Sequence, residues 1–387
     1  MTQRWTDAQL DEARTKADPL ADAAVSQFMQ ELREDDPARL FHRLVSELDV
    51  EVENQSPPIR AYLEAARTLP EWADQQLIEQ GQQFFKTDLV HHFAMLFLAS
   101  LPSAYAAAKG AHPLIITGQL TQQVRRRLNE TAQFVMDINS AGSFAEGGIA
   151  ISRIEHVRLM HAAVRWLIAH DPVGYTVDDA DPTVAHDPPI WAKTWGVPIN
   201  QEDLAGTMLT FTTVVFNGFD RCGVQYSASD RDAYFHLWRV TATMLGIEPE
   251  LIPDDVESAQ RLQHLIWKRQ HRENAAGKQL EAALLEAADQ RSGRLVGSLF
   301  PAMSRVVLDE GIPDMVAIPR PGVLARMVVR VLEGATVVWS TIKKDSSLIA
   351  RIVGRIGQSM MDSSLLENRH GRAVPFSVPT SLVDDPR

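Results

Sequence analysis

An all-α fold is what this sequence predicts, and three observations predict it. Apolar residues recur at spacings of three and four along most of the 387-residue chain. No sustained alternation of period two appears, and β-branched runs are few. The composition, 45% hydrophobic and 23% charged, is that of an ordinary soluble protein. Length alone would permit two or three domains, yet no composition shift divides the chain, so one α-helical domain over 1–387 is expected.

Charge and cysteine content exclude several classes. The net charge of −12 argues against a general nucleic-acid or anionic-membrane binder, either of which needs a basic surface. A single cysteine, Cys222, rules out a disulfide framework, a zinc cluster or a CxxCH haem attachment within one chain. The N-terminal run MTQRWTDAQLDEARTKADP is charged throughout and does not read as a secretory signal. The longest apolar stretches, Phe93–Ala99 and Met327–Ile342, are short or broken by Pro102, Arg330 and Glu333, so no transmembrane span and a cytoplasmic location are expected.

In order, charged helices are expected at Asp7–Lys16 and Leu20–Arg33, then a polar break at Glu34–Pro37 and an apolar-periodic run to Leu48. Asn54, Gln55 and the pair Pro57–Pro58 mark a loop over Glu51–Pro58. Helices resume at Ile59–Thr68 and Glu71–Phe85. Asp88 introduces the apolar helix Leu89–Leu101, which Pro102 should end, and Ser103–Lys109 stops at Gly110 and Pro113. Thr121–Ile138 is amphipathic through Val124, Leu128, Ala132, Val135 and Ile138. Asn139–Gly148 is a small-residue loop. Asp171–Pro198, with five prolines and Trp191 and Trp195, has the length of a lid or binding loop. Helices follow at Gln201–Phe219 (cap Asn200, Asp203 in the first turn), Ser227–Leu245, Val256–Asn274, Gly277–Ser292 and Arg294–Glu310. After a loop at Arg320–Val323, Leu324–Lys343 is helical and the tail GRAVPFSVPTSL is extended.

The stretch that carries chemistry is Ile151–His170. Val157, Leu159, Met160, Ala163, Val164, Leu167 and Ile168 cover more than one stripe, so this helix is expected to be buried on most sides. Into that surface it sets Arg158, His161 and Arg165, spaced i, i+3, i+7. Two guanidiniums on a buried helix cost several kcal/mol to desolvate unless an anion meets them. A haem would supply an iron for the imidazole and two propionates for the arginines. The alternative is a core histidine with two arginines reaching out to the surface.

The preceding helix carries Arg127, Glu130 and Thr131 on one face, at i, i+3, i+4. They suit either the distal side of such a haem or a solvated face. The text around Cys222, VVFNGFDRCGV, misplaces the phenylalanine and glycine of a thiolate–haem loop, so Cys222 reads as a small semi-buried residue. His91 and His92 are either a second haem ligand or core or surface histidines. Glu367–His370 is the one Glu-x-x-His pair, too few for a di-iron bundle. No glycine-rich phosphate loop, nucleophile elbow or HExxH is present.

The ordered runs TGQLTQQVRRRLNETAQFVMDI, RIEHVRLMHAAVRWLI, WGVPINQEDLAGTMLTFT and SDRDAYFHLWRVTATMLGI resemble the MpaB-type oxygenase family, which includes the bacterial latex-clearing proteins. The resemblance covers Thr117 to Pro253, with weaker agreement in the GRAVPFSVPTSL tail. It implies a globin-like helical core with additional N- and C-terminal helices, and one non-covalent b-type haem in a core of about 86–300. It implies that His161 is the proximal iron ligand, that Arg158 and Arg165 lie around it, and that Arg127 and Thr131 are distal polar positions. The latex-clearing members cleave C=C bonds of polyisoprene with dioxygen to carbonyl products.

This chain departs from that pattern twice. Glu130 stands where those members carry a distal lysine, and a carboxylate there is a candidate base for an allylic proton. Latex-clearing members are exported, whereas this N-terminus shows no signal, so a small isoprenoid or other unsaturated lipid is expected in place of rubber. The function expected is therefore haem-dependent oxidative cleavage with dioxygen, with an electron donor not identified. A non-catalytic haem sensor or carrier and a haem-free helical ligand-binding protein are the alternatives.

Overall fold

The computed structural model describes residues 4–32, 55–116, 130–170, 176–186, 189–297 and 299–322. The apolar run to Leu48, residue Arg127 with the first half of its helix, Leu324–Lys343, Glu367–His370 and the extended tail lie outside the described residues. What is described is helical, apart from a two-residue parallel pairing of β1 (Thr176–Val177) with β2 (Trp191–Ala192).

Helix starts follow side-chain caps. α1 (Asp7–Arg14) opens on a Thr6–Gln9 capping box, after which comes α2 (Pro19–Leu32). α3 (Pro57–Arg67) begins with proline in its first turn, where a missing N–H is harmless. Asp74 caps α4 (Gln75–Thr87) by accepting from Gln76 N–H at 2.8 Å.

The next helix overturns one expectation. Pro102 does not end it. α5 (Leu89–Met95) runs through a π-helical turn, Leu96–Ser100, directly into α6 (Leu101–Ala106), with Pro102 in the first turn of α6. The widened turn accommodates the proline ring and its missing donor, which would otherwise break the ladder. By length and composition Leu89–Ala106 would also suit a membrane span, yet 72% of it is buried within the protein, as the middle of a core.

After α7 (His112–Ile116) the description resumes with helical residues 130–138 (α8) and the 22-residue α9 (Ile149–His170). The expected helix Gln201–Phe219 is two: α10 (Gln201–Phe211) and α11 (Thr213–Cys222), broken at Thr212 with φ −120° and ψ −86°. The hydroxyls of Thr212 and Thr213 donate back to the carbonyls of Met208 and Leu209, at 3.1 and 3.0 Å, and so favour a bend. Gly223, at φ 68°, ends α11 in the left-handed region open to glycine. α12 (Ala228–Met244), α13 (Val256–Gln270), α14 (Ala275–Gly297), α15 (Phe300–Val307) and α16 (Ile312–Met315) complete the described chain.

Two cores result. The larger gathers α4, α5, the π turn, α10 to α13 and the start of α9. α4 packs closely on α12, since a Cβ on Gly81 would fall 2.8 Å from the Ala233 carbonyl oxygen. The smaller joins α2 and α3 to the C-terminal half of α9. Trp191 and Trp195 plug that second core and are each 2% exposed. Their indole N–H groups donate to the Gly196 and Ala180 carbonyls, so this part of the Asp171–Pro198 connection is anchored.

Candidate functional site

α9 crosses from one core to the other, and its faces divide accordingly. Val157, Met160, His161 and Val164 line a cavity of about 300 Å³. Helical residues 130–138 supply Glu130, Thr131 and Phe134 to the same cavity. The structure thus brings His161, Glu130 and Thr131 together, from two helices, on one largely apolar surface. Glu130 is buried and Thr131 half-buried.

The two arginines of α9 look elsewhere. Arg158 donates to both carboxylate oxygens of Asp18, from Nη2 at 2.9 Å, and from Nη1 to the Met244 carbonyl at 3.1 Å. Arg165 donates from Nε to Asp22 at 2.7 Å and from Nη1 to the Ile199 carbonyl at 3.3 Å. The anion that buried guanidiniums demand is therefore protein, supplied by Asp18 just before α2 and by Asp22 in its first turn, and neither arginine is on the cavity wall. Helical geometry accounts for the split. Residues seven apart lie within about 20° of each other, whereas His161 is rotated about 60° from Arg158.

The opposite wall material is aromatic and irregular. The π turn contributes Leu96, Phe97 and Ser100 to the cavity. The Ser100 hydroxyl donates to the Thr210 carbonyl at 2.6 Å, which ties the widened turn to α10. π turns inside helices are common at functional sites. Ile199, also on the wall, holds φ 51°, an outlier for a β-branched residue, with its carbonyl fixed by Arg165.

Sequence reasoning missed a third wall. Glu202 and Asp203 from α10, with Trp267, Gln270 and His271 from the end of α13, line the same cavity. Burial holds the Glu202 carboxyl above its ordinary range although Arg269 and Arg14 both donate to it, at 2.8 and 3.1 Å. The signal was the spacing i, i+3, i+4 of Trp267, Gln270 and His271.

The other histidine pair resolves as core. His92 is 1% exposed, and its ring lies 4.9 Å from each of Phe84, Phe85, Phe219 and Tyr234. Burial pushes its pKa down to about 4. His91 pairs with Asp88, and neither histidine is on the cavity wall. Cys222 is buried at the last turn of α11.

Residues 87–339 match the family model described as the catalytic domain of ER-bound oxygenase mpaB/B'/Rubber oxygenase. A rubber oxygenase of Streptomyces sp. (strain K30) is 28% identical over 275 residues, which are 70% of this chain and 63% of the relative. The chain thus spans somewhat under two thirds of that relative's length. A solved latex clearing protein, LCP, in its closed state, superposes with a TM-score of 0.75 at 21% identity, covering 95% of each chain. That likeness is one of fold.

Proposed function

This chain belongs to the mpaB/rubber oxygenase family, and on that premise we propose that it is a haem-b-dependent oxygenase that cleaves a C=C bond of an apolar, isoprenoid-like substrate with dioxygen. The observation that carries the reading is the meeting of His161, Glu130 and Thr131 on one apolar cavity. His161 offers on that wall, beside Glu130 and Thr131, the imidazole that a non-covalent haem needs. Arg158 and Arg165 are not assigned to the propionates, because Asp18 and Asp22 already neutralise them.

When bound, haem supplies the redox chemistry of dioxygen. The chain's own residues do the rest. The aromatic and aliphatic wall from α5 to α6 excludes water and takes the hydrocarbon, a contact whose strength follows the apolar area covered. Glu130, on the cavity wall, is the base that accepts a proton from an allylic carbon of the substrate in this reading. Thr131 offers a hydroxyl that donates or accepts beside it. Arg127, the third member of the expected distal trio, lies outside the described residues.

Product analysis tests the activity. Protein loaded with hemin, reduced, and incubated with squalene under ¹⁸O₂ is expected to yield carbonyl products carrying the label. Full haem loading with no labelled carbonyl from squalene or from polyisoprene would contradict an oxygenase and leave a haem-binding protein.

A further inference from the structure

The cavity wall at the end of α13 carries polar atoms that nothing among the described residues satisfies. Trp267, Gln270 and His271 share one face of the last helical turn, and all three line the cavity. Trp267 Nε1, Gln270 Oε1 and His271 Nδ1 are buried and have no hydrogen-bond partner among the described residues. Native proteins leave few such atoms unpaired, so three within five residues, all on residues of one cavity wall, point to a missing ligand group.

The cluster is held in place. The Gln270 amide donates from Nε2 to Glu202 at 2.8 Å, which fixes its orientation and leaves Oε1 as the remaining acceptor. The Trp267 and His271 rings stack with centroids 4.3 Å apart. Backbone bonds strap this turn to the end of α6: Ala108 N–H donates to the Gln270 carbonyl at 3.0 Å, and Arg272 N–H to the Ala106 carbonyl at 3.1 Å. The wall is also without spare charge. Glu202 is met by Arg14 and Arg269, and Asp203 by Arg14 and Asn200. His271 stays neutral at ordinary pH, since burial lowers its pKa to about 3.

We infer that this wall binds a hydroxyl group of the ligand, and hence that the substrate is an unsaturated alcohol whose chain fills the apolar remainder of the cavity. A hydroxyl accepts from the Trp267 indole N–H and donates to Gln270 Oε1, and His271 Nδ1 takes either role according to tautomer. A carboxylate would have to approach Glu202 and Asp203, and an ammonium would find only the neutral acceptors Gln270 Oε1 and His271 Nδ1 in the cluster, with both nearby carboxylates already paired. The three atoms lie just under the wall surface, so the hydroxyl reaches them through side-chain rotation of the kind common on binding. The inference rests on the reading that the cavity takes an apolar substrate, though not on the haem.

Titration calorimetry of the purified full-length chain with farnesol and with farnesene, which lacks the hydroxyl, tests it. The wild type is expected to bind farnesol roughly 10- to 100-fold more tightly. Gln270→Met and Trp267→Phe should bring that ratio close to one, chiefly by weakening farnesol, in protein whose thermal unfolding remains cooperative. Equal binding of the two ligands by the wild type, or a ratio unchanged in folded variants, overturns the hydroxyl site and leaves the oxygenase reading intact. Failure of both ligands to bind the wild type overturns the hydroxyl site and the apolar-substrate reading together. Should neither variant fold, the wild-type ratio decides.

Discussion

Two faces of α9, about 60° apart, meet different fates. One sets Arg158 and Arg165 against Asp18, just before α2, and Asp22, within it, and so fastens the second core. The other sets His161 into the cavity beside Glu130 and Thr131. The three residues share one helix and one spacing pattern, yet the first face meets carboxylates that fasten the fold and the second opens on a cavity. A polar residue on a buried helix acquires its role from what the neighbouring element brings to it.

The contrast can be broken most sharply at Arg158. Its partner Asp18 has a side chain only 4% exposed, so Arg158→Ala leaves a buried carboxylate uncompensated. A loss of about 3–5 kcal/mol in chemical denaturation is expected, with much of it recovered in the Asp18→Asn/Arg158→Met double variant. Haem content per folded molecule should not change. If Arg158→Ala lost haem with unchanged stability, the two faces would not be separate.

A buried charge with no partner should behave in the opposite sense. Glu281 on α14 is 0% exposed, neither carboxyl oxygen has a hydrogen-bond partner among the described residues, and burial pushes its pKa up to about 8. The folded protein thus retains a proton that the unfolded chain, with an ordinary carboxyl pKa, releases. Stability is fully present at acid pH and falls as pH rises through that interval. Measured against Glu281→Gln, the wild type should lose about 3 kcal/mol between pH 5 and pH 8, a pH-dependent difference to which His92, His156 and His271 contribute equally in both proteins. A flat difference would mean that Glu281 ionises freely.

On the cavity face, Glu130→Gln should leave stability and haem content unchanged and slow product formation by roughly 100-fold. Unchanged turnover would remove the base role alone. The smallest effect belongs to Arg165→Ala, because the Asp22 side chain is 34% exposed and water can take over its solvation. A loss of about 1 kcal/mol is expected, discounted for that exposure, and thermal unfolding would report it.

The sequence carried the helical class, most helix starts and the grouping of His161 with Glu130 and Thr131. It did not carry the partners of the arginines, since Asp18 lies 140 positions away in the chain from Arg158. Nor did local rules foresee the π turn, in which Leu96–Ser100 absorb Pro102, or the break at Thr212, where adjacent threonine hydroxyls take backbone carbonyls. The Trp267, Gln270 and His271 wall was hidden for a related reason. On paper its spacing is an ordinary helix face, and only the packing of α10 against α13 turns it toward a cavity.

The central claim is that the His161 face holds a haem. An absorption spectrum of the purified protein, taken after hemin addition and again after dithionite, tests it most directly, in parallel with His161→Ala. The account predicts a Soret band that shifts on reduction in the wild type and is absent from a folded His161→Ala protein. A wild type that takes up no haem, or a His161→Ala variant that retains it fully, would contradict the assignment.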